Sequence, residues 1–558
     1  MQRMLSRFAP ATAAAKATAA VSLALSLAAC GGGAPETAST VQIGGASGNE
    51  LAAEQVLHWG NLAEPQSIDP HKSEGVPSSN IQRDLFDGLI NEAPNGDLEP
   101  GGAQSWDINE DGTVYTFHLR RDARWSNGDP VTAHDWAYGI TRSADPVTAS
   151  RYTFILEPIL NAARVSAGEA PPEAIGVRAI DDYTLEIALE APTPFFLGLL
   201  THSSTYAMHR PSVEAHGDRV TRPGNFVTNG AYMLDEWIAQ SHVKLVRNPY
   251  YWDNESTVID EVYFHAQENR VAEISRYRAD EFDITYTDLP VTQLDWIMEN
   301  LPEDLVIGPY LGSYYYGFNL TQPPFEDNLA LRRALTLAVN REIITTQIRK
   351  AGEIAAFGWV PPVANYAGQQ MPEAQWTQQQ REEEARRLYA EAGYSEDNPL
   401  SVNIVYNTED SHRVIAIAIA SMWREVLGVD TTIENQEWKV FLDTRRQKID
   451  TEIYRAGWIG DYNDANTFAA LFLSTSEMND SGYDNPRYDE LVNLAAAEID
   501  LERRAEYLQE AERALLEDLP IMPLYFYATT RLVKPWVDGL EPNIMNHHHS
   551  KDLRILAH

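Results

Sequence analysis

The chain has 558 residues, of which 44% are hydrophobic and 22% are charged. This length and composition predict a globular protein with roughly three or four domain-sized cores, and they exclude a disordered chain. The sequence carries 43 Lys and Arg residues against 81 Asp and Glu residues, which gives a formal net charge of −38. Nucleic-acid binding depends on cations that neutralise phosphates, so we expect no nucleic-acid partner.

The N-terminal segment has the order of a lipoprotein signal peptide. Arg3, Arg7 and Lys16 precede an apolar run over residues 17–29, which ends at Cys30. These 13 apolar residues are too few to span a bilayer as a helix. We therefore predict a signal peptide over residues 1–29, with cleavage leaving Cys30 lipidated at the new N-terminus. The alternative is an ordinary secretory signal peptide with an incidental cysteine.

The residues that follow the signal peptide lack apolar periodicity. Residues 30–50 are rich in Gly, Ala, Ser and Thr, a composition that predicts a flexible tether outside the fold. No later segment approaches the run of about 18 apolar residues that a membrane helix needs, so we predict a soluble remainder. Cys30 is the single cysteine of the chain, which excludes internal disulfides.

The first elements of the folded part are a strand over residues 56–62 and a helix that Pro77 opens and that runs through Leu89. Thr132 and Asp135 have the spacing of a capping box, which predicts the start of another helix.

The segment from Asp107 to Gly112 begins like a calcium-binding loop. His118 stands at its twelfth position, where such a loop needs a bidentate Glu. We therefore predict an Asp-Gly hairpin turn into a strand over residues 114–119.

Helix and strand patterns alternate along the whole chain, which predicts an α/β fold with βαβ units. The clearest amphipathic helix covers residues 328–348, and another runs from Thr377, capped by Gln380, to Gly393. The other predicted elements are strands over 401–406, 429–433, 451–458 and 521–527, a helix over 412–427, and helices that begin at Trp438, Arg487 and Leu501.

The segment from Arg455 to Asn463 carries the pattern most suggestive of function. Gly457 stands beside Trp458 in the predicted strand, and a glycine there leaves room for another backbone to approach. Asp461 follows and can meet a cation. Together these features indicate chemistry that holds a peptide by its main chain and its α-ammonium group. The alternative is a core strand that ends in a capped turn, with Asp461 as a helix N-cap.

Motifs of catalysis and metal binding are missing from the sequence. There is no Gly-x-Ser-x-Gly, His-Glu-x-x-His or phosphate-binding loop. The three adjacent residues His547–His549 lack the spacing of a formed metal site. We therefore predict a protein that is not an enzyme, with no catalytic residues, no cofactor and no metal.

A series of motifs resembles the periplasmic oligopeptide-binding proteins of bacterial ABC importers, in solute-binding protein family 5. The resemblance covers nearly all of the chain after the tether. Its motifs follow in order: Gln66–Pro77, Arg83–Leu89, Trp125–Gly128, Pro130–Asp135, Asn229–Tyr232, Arg247–Asn254, Glu434–Lys439 and Arg531–Trp536.

The resemblance implies a type II periplasmic binding protein, with two lobes joined by a hinge and an additional N-terminal domain. Lobe I would comprise residues 50–87, 210–311 and 529–558, the extra domain residues 88–209, and lobe III residues 312–528. Ligand sites commonly lie at such interfaces.

The resemblance also implies ligand contacts. Asp461 matches the residue that binds the peptide's α-ammonium group. Arg455 and Gly457 match a strand that pairs with the peptide backbone, and Glu74 and Val76 match its counterpart on lobe I. Residues matching the side-chain pockets are Tyr152, His202, Tyr286, Trp438, Leu442, Arg445, Trp458 and Tyr527, and those matching cations for the peptide carboxylate are Arg349, His412 and Arg455.

Some positions depart from the family pattern. Thr287 stands where the relatives have an Asn that bonds the ligand backbone, and Gly317 stands where they have an acidic residue. The preferred peptide length is therefore expected to differ.

The implied function is that of an extracytoplasmic solute-binding lipoprotein. It would capture short peptides by backbone and termini and deliver them to the inner-membrane permease of an ABC importer. We expect a periplasmic monomer anchored through its N-terminal lipid, with the outer membrane favoured because Gly31 follows the cysteine. The alternatives are the same fold tuned to murein tripeptide, another special peptide, a metal or haem, and, less favoured, a peptidase.

Overall fold

The computed structural model describes residues 50–363, 366–436, 438–449, 451–476 and 478–558. These described residues all belong to one unit of the chain. The predicted signal peptide, its Cys30 and nearly all of the tether lie outside them. Within the described ranges, no helix is both long and apolar enough to cross a membrane.

Several of the strands carry the alternating burial expected of a sheet with one covered face, whereas the two longest strands are buried over most of their length. In chain order they are β1 Val56–Gly60, β2 Ile90–Glu92, β3 Leu98–Pro100, β4 Ala103–Ile108, β5 Val114–Leu119, β6 Val177–Asp181, β7 Thr184–Ala188, β8 Tyr232–Ile238, β9 His242–Arg247, β10 Glu261–His265, β11 Leu305–Phe318, β12 Ile354–Ala355, β13 Ser401–Asn407, β14 Asp430–Gln436, β15 Ile453–Ile459, β16 Ile521–Leu532, β17 Val537–Asp538 and β18 Arg554–Ile555.

Many of the helices begin at a residue whose side chain or proline ring suits a first turn. They are α1 Val76–Leu85, α2 Ala133–Ala144, α3 Ala162–Ser166, α4 Phe196–Leu199, α5 Arg210–His216, α6 Arg270–Arg278, α7 Val291–Asn300, α8 Leu329–Leu337, α9 Arg341–Ile343, α10 Gln378–Glu391, α11 Asp410–Leu427, α12 Trp438–Gln447, α13 Asn466–Ala469, α14 Pro486–Ala497 and α15 Leu501–Asp518.

Three larger sheets organise the chain. The first has the order β1-β10-β9-β8, the second β4-β5-β7-β6, and the third β12-β16-β11-β15-β13-β14. In the third sheet β13 is parallel to β14 and to β15, with α11 and α12 as the connecting helices. The predicted βαβ units are therefore confirmed in this part. The other two sheets are mainly antiparallel.

Strands β11 and β16 join the third sheet to the first part of the fold. They pair antiparallel from Leu305↔Leu532 to Gly317↔Ile521. Just beyond β16, Val533 bridges Ile284, which in turn bridges Trp59 in β1. Two long neighbouring strands thus connect the two regions, an arrangement that allows the regions to move about a hinge.

Apolar cores lie on both faces of the third sheet. Along β11, Tyr314 and Tyr316 pack into one core, whereas Tyr315 packs into another on the opposite face. This alternation follows from the two-residue period of a strand. A separate core is shared by the first and second sheets, with Leu57 and Phe117 among its members.

Local capping predictions are confirmed. The backbone N–H of Thr132 donates to Asp135 Oδ2 at 2.8 Å at the start of α2. Thr377 and Gln380 form the predicted capping box of α10. The hairpin is present as well, since β4 and β5 pair antiparallel up to Ile108↔Tyr115.

Two predicted helices are shorter than expected. The helix from Pro77 ends at Leu85 rather than Leu89, because Phe86 already has extended backbone angles. The single helix over 328–348 is wrong: α8 ends at Leu337, and Asn340 Oδ1 accepts a hydrogen bond from the N–H of Ile343 at 3.0 Å to begin a new helix. That new helix continues as a π-helix over Ile344–Arg349.

Candidate functional site

Strand β15 has an unpaired edge along the segment that carries the motif. On one side, β11 pairs with it from Phe318↔Ile453 to Gly312↔Ile459. On the other side, β13 reaches only Ile453 and Tyr454. From Arg455 to Ile459 the strand therefore has a partner on one side only within the described part of the chain. Unpaired N–H and C=O groups of this kind can accept a further extended strand.

Gly457 leaves room on β15 for the side chain of Tyr527, which comes from β16. A Cβ atom placed there would lie 2.6 Å from the hydroxyl of Tyr527 and 3.4 Å from Nη2 of Arg455. No Cβ tolerates the first distance, so the position of Tyr527 depends on the glycine.

Asp461 follows β15 and lines a cavity of about 240 Å³. The cavity brings together four predicted site residues that are far apart in sequence, namely Val76, Tyr152, His202 and Asp461. Three parts of the chain contribute to the wall of the cavity. These are helix α1, the loops with Tyr152 and His202 near the second sheet, and the end of β15 in the third sheet. The predicted convergence of separate regions on Asp461 is thus present.

The carboxylate of Asp461 has no hydrogen bond or ion pair with any described residue, whereas its backbone N–H lies 3.5 Å from Thr467 Oγ1. Burial raises the pKa of Asp461 to about 6. Asp461 is half-buried. Partial burial of a carboxylate without a partner carries a cost, which a bound cation would remove.

Asp461 does not cap the next helix. The nearest helix, α13, begins at Asn466, and its N–H donates to Asp464 Oδ1 at 2.7 Å. The capping interaction therefore belongs to Asp464, which leaves Asp461 free of a local structural role.

Aromatic and polar groups surround the cavity opposite Asp461. The rings of Tyr152 and His202 are 4.6 Å apart. Burial raises the pKa of Tyr152, and the carboxylates of Asp461 and Glu74 act in the same direction. Burial also lowers the pKa of His202 to about 3, so this imidazole is neutral at physiological pH. Glu74 is paired, with its Oε1 atom 2.7 Å from Nε of Arg151.

A second group of predicted residues surrounds Arg455. Its Nη2 atom donates to the hydroxyl of Tyr527 at 3.0 Å, and Nη1 donates to Asn407 Oδ1 at 3.3 Å. Its guanidinium lies 4.8 Å from the ring centre of Tyr314. The Nε–H group is buried and has no hydrogen-bond partner among the described residues. Arg455 therefore has donor capacity left for an anion.

The other two predicted carboxylate-binding cations already have acidic partners. Arg349 Nε lies 2.6 Å from Glu353 Oε1, and Nη2 lies 3.3 Å from Asp288. His412 Nε2 lies 2.8 Å from Glu409 Oε2. Burial lowers the pKa of His412, although the Glu409 carboxylate opposes that shift. Of the three cations, Arg455 is the one that has no carboxylate partner among the described residues.

Two further predicted residues, Arg445 and Trp458, have structural partners. Arg445 pairs with Asp480 Oδ2 at 2.6 Å, and Nε1 of Trp458 donates to Thr467 Oγ1 at 3.1 Å. Leu442 is half-buried on α12. Trp438 begins the same helix, and its side chain lies outside the part of the chain that the structure describes.

Tyr286 and Thr287 line a smaller cavity next to the first one, and Val76 borders both cavities. Arg270 holds the backbone of this segment by donating to the carbonyl oxygens of Tyr286, at 3.2 Å, and Thr287. Three of the predicted lobe I residues, Val76, Tyr286 and Thr287, thus line these two cavities.

The position of Gly317 is filled by a neighbouring ring. A Cβ atom there would lie 2.1 Å from Cζ of Tyr454, which is fully buried. The acidic side chain of the relatives could not fit while Tyr454 holds this position.

Sequence reasoning missed three residues of the cleft wall. Arg83, Tyr310 and Arg531 line the two cavities, although none was singled out as a ligand contact. Arg83 and Arg531 each begin a motif quoted for the family resemblance, and that was the available signal.

The adjacent histidines face separate partners. His547 Nδ1 contacts Glu92, His548 Nε2 lies 3.3 Å from Asn546, and His549 Nδ1 lies 3.1 Å from the carbonyl oxygen of Arg83. Within the described ranges, no group of three or more His, Cys, Asp or Glu residues is arranged to hold a metal.

Comparison with known proteins gives consistent matches. Residues 97–480 match the family model of bacterial extracellular solute-binding proteins, family 5 Middle. The chain is 43% identical over 516 residues to the periplasmic oligopeptide-binding protein OppA of Salmonella typhimurium, covering 92% of this chain and 94% of OppA.

Solved structures of two proteins are also similar to this chain over most of its length. Haemophilus influenzae OppA in complex with the peptide RPPGFSPFR is similar with a TM-score of 0.77 and 39% identity, covering 91% of this chain and 100% of that chain. The Escherichia coli murein tripeptide binding protein MppA gives a TM-score of 0.79 and 36% identity over the same shares.

These matches confirm the predicted two-lobed fold with its additional N-terminal domain. The family model covers more than half of the chain, and the relatives extend over nearly all of it. The chain therefore belongs to family 5 of the bacterial extracellular solute-binding proteins.

Proposed function

We propose that this protein captures short peptides outside the cytoplasm and delivers them to an ABC-type peptide importer. The observation that carries the proposal is the unpartnered carboxylate of Asp461 in a cavity at the end of a half-paired strand. A free peptide N-terminus supplies the cation, and its backbone supplies the missing strand. The names of the OppA relatives support the same ligand class.

The first contact is an ion pair between Asp461 and the peptide's α-ammonium group. On binding, the ammonium would pair with a half-buried carboxylate that has no partner among the described residues. Charge-assisted hydrogen bonds are about twice as strong as neutral ones and fix position, so this contact would set the peptide's register.

The second contact is main-chain pairing along the open edge of β15, from Arg455 to Ile459. Backbone hydrogen bonds give affinity that does not depend on side-chain identity. Val76 lines the same cavity as Asp461, and Glu74 and Val76 would hold the other face of the peptide.

The third contact is between the peptide's carboxylate and Arg455. Its guanidinium keeps unused donors beside Tyr527, whereas Arg349 and His412 are already paired with Glu353 and Glu409. A ligand that reached Arg349 or His412 would have to compete with those carboxylates. The arrangement therefore favours peptides whose C-terminus ends near Arg455.

The remaining predicted contacts would form roomy side-chain pockets, in which water mediates hydrogen bonds and sequence tolerance follows. Closure of the lobes about β11 and β16 would then bury the ligand. The arrangement of sheets supports the domain boundaries given above, with lobe III built on the six-stranded sheet.

We also propose a periplasmic location, a lipid anchor at Cys30, and an inner-membrane permease as the protein partner of a monomeric binding protein. The relatives' names include the word periplasmic, and the signal-peptide pattern supports the anchor. The similarity to MppA supports murein tripeptide as a second candidate ligand.

Native mass spectrometry of the purified protein, followed by calorimetry, tests the proposal. We expect a retained peptide in the mass spectrum and binding of varied three- to five-residue peptides within roughly two orders of magnitude of one another. Nα-acetylated versions should bind far more weakly. Equal affinity for acetylated peptides would refute the ammonium contact, and steady hydrolysis of the peptide would instead indicate a peptidase.

A further inference from the structure

The walls of the cleft carry more unpaired positive charge than negative charge. Among the described residues, Asp461 has no cation as a partner and Arg455 has no carboxylate as a partner. Arg83 and Arg531 also line the cavities, and no described carboxylate lies within ion-pair distance of either. A zwitterionic peptide would satisfy Asp461 and Arg455 and would leave the other two guanidinium groups unmatched.

Arg531 is the clearer of the two. Its side chain belongs to a residue that is only 4% exposed, on β16. Its guanidinium contacts Asn546 Oδ1 and lies 5.9 Å from the ring centre of Trp59. Burial lowers its pKa to about 10, and the opposing influences come from Tyr286 and Tyr310 rather than from a carboxylate.

A structural arginine elsewhere in the chain provides the contrast. Arg332 is 7% exposed and also lacks a carboxylate, but its three nitrogens all donate to backbone carbonyl oxygens. Nε donates to Leu519 at 3.1 Å, Nη1 to Phe325 at 2.7 Å and Nη2 to Asp518 at 2.7 Å. Arg531 has no comparable set of acceptors among the described residues, and it borders a cavity instead.

Arg83 borders the larger cavity, the one that contains Asp461. Its Nη1 atom donates to Asn80 Oδ1 at 3.1 Å. The nearby carboxylate of Glu92 is held by His547. No described cation forms an ion pair with Asp461, and burial raises the pKa of its carboxyl group to about 6. Arg83 and Asp461 therefore mark separate walls of one cavity.

We propose that Arg83 and Arg531 select peptides with an acidic side chain at the first or second residue. This inference rests on the proposed function. The first side chain would start in the cavity that Asp461 and Arg83 line, and Val76 borders both this cavity and the one beside Arg531. The cavity beside Arg531 holds only about 10 Å³, so a side chain that reaches Arg531 would have to widen it. Burial of a charge is tolerated when an opposite charge pairs with it, so an acidic ligand side chain would remove a cost that the free protein carries.

Calorimetry with matched tripeptides tests the selection. Glu-Ala-Ala is compared with Gln-Ala-Ala and Lys-Ala-Ala, and Ala-Glu-Ala with Ala-Gln-Ala and Ala-Lys-Ala, at neutral pH. We expect Glu to bind at least tenfold more tightly than Gln at one of the two positions, with Lys the weakest. If Glu binds less than tenfold more tightly than Gln at both positions, the measurement on the wild-type protein is enough to overturn the proposal.

Variants then assign the preference. Either Arg83→Gln or Arg531→Gln should reduce the preference for Glu over Gln to less than threefold. The Arg→Lys variant at the same position should keep that preference. Arg278→Gln removes the same charge from an exposed position on α6 and should leave the preference unchanged. Persistence in both cleft variants, or loss in Arg278→Gln, overturns the proposal. Failure of every tripeptide to bind would instead refute the proposed function.

Discussion

Nη2 of Arg455 donates a hydrogen bond to the hydroxyl of Tyr527 at 3.0 Å, across strands that are not neighbours in the sheet. The two groups meet above Gly457, where a Cβ atom would lie 2.6 Å from that hydroxyl. The glycine, the tyrosine and the arginine therefore form one unit beside the open edge of β15.

Gly457→Ala should destabilise the protein by overpacking, at a cost of about 1–3 kcal/mol. Tyr527→Phe removes the hydroxyl that the new methyl group would meet, so the double variant should recover most of that loss. Denaturant unfolding of the two single variants and the double variant measures the coupling. Additive losses in the double variant would show that the methyl group meets something other than Tyr527.

Asp461→Asn should weaken binding of an unmodified tripeptide. Losing the carboxylate of a buried ion pair costs about 3–5 kcal/mol, or roughly two to three and a half orders of magnitude in affinity. Calorimetry with the same peptide in its free and Nα-acetylated forms measures this. The acetylated peptide is the control, because it should bind the wild type and the variant about equally weakly.

The same substitution should stabilise the ligand-free protein. Burial raises the pKa of Asp461 to about 6 in the folded state, above its ordinary value, so ionisation of this group opposes folding. The destabilisation is absent below the ordinary pKa and complete above pH 6. Asp461→Asn should therefore raise Tm at pH 7.5 and change it little at pH 3.5. A lower Tm at pH 7.5 would indicate a helix-capping or other structural role.

Local signals in the sequence predicted much of this fold. The capping boxes at Thr132 and Thr377 depend on side chains that are three residues apart. The parallel strands of the third sheet follow from the alternation of helix-period and strand-period segments in the sequence. The broken helix was missed for a tertiary reason. Its apolar stripe continues on both sides of Asn340, and the sequence does not show that this side chain caps a new helix instead of facing solvent.

The candidate site was predictable only in part. The motif at Asp461 and the family resemblance identified some of the residues around both cavities and missed others, such as Arg83 and Arg531. Whether a cation is free or paired depends on residues distant in sequence, as with Arg349 and Asp288. The same applies to Arg531, whose burial becomes evident only when Trp59 and Asn546 are brought against it.

Cys30→Ala should release the protein from the membrane. The apolar run that ends at Cys30 predicts lipidation of that residue, and no other cysteine is present to substitute for it. Fractionation of a Gram-negative host should find the wild type with membranes and the variant in the soluble periplasm. Peptide affinity of the released variant serves as the control for folding, and retention in the membrane fraction would contradict the anchor.

Peptide affinity should fall in mild acid because of Asp461. In the free protein its pKa is about 6, and pairing with the peptide's ammonium would lower it in the complex. The peptide affinity therefore has its full value well above pH 6. It declines as the pH falls through 6, by up to about tenfold per pH unit. The ligand's own groups keep their charge in this range, since the ordinary pKa values are about 3.5 for the carboxyl and about 8 for the amine. His202, with a pKa of about 3, stays neutral there.

Calorimetry at pH 7.5 and pH 5.0 should show about tenfold weaker binding at the lower pH, and Asp461→Asn should abolish most of that difference. An equal decline in the variant would assign the titration to another group, with His412 the first to test.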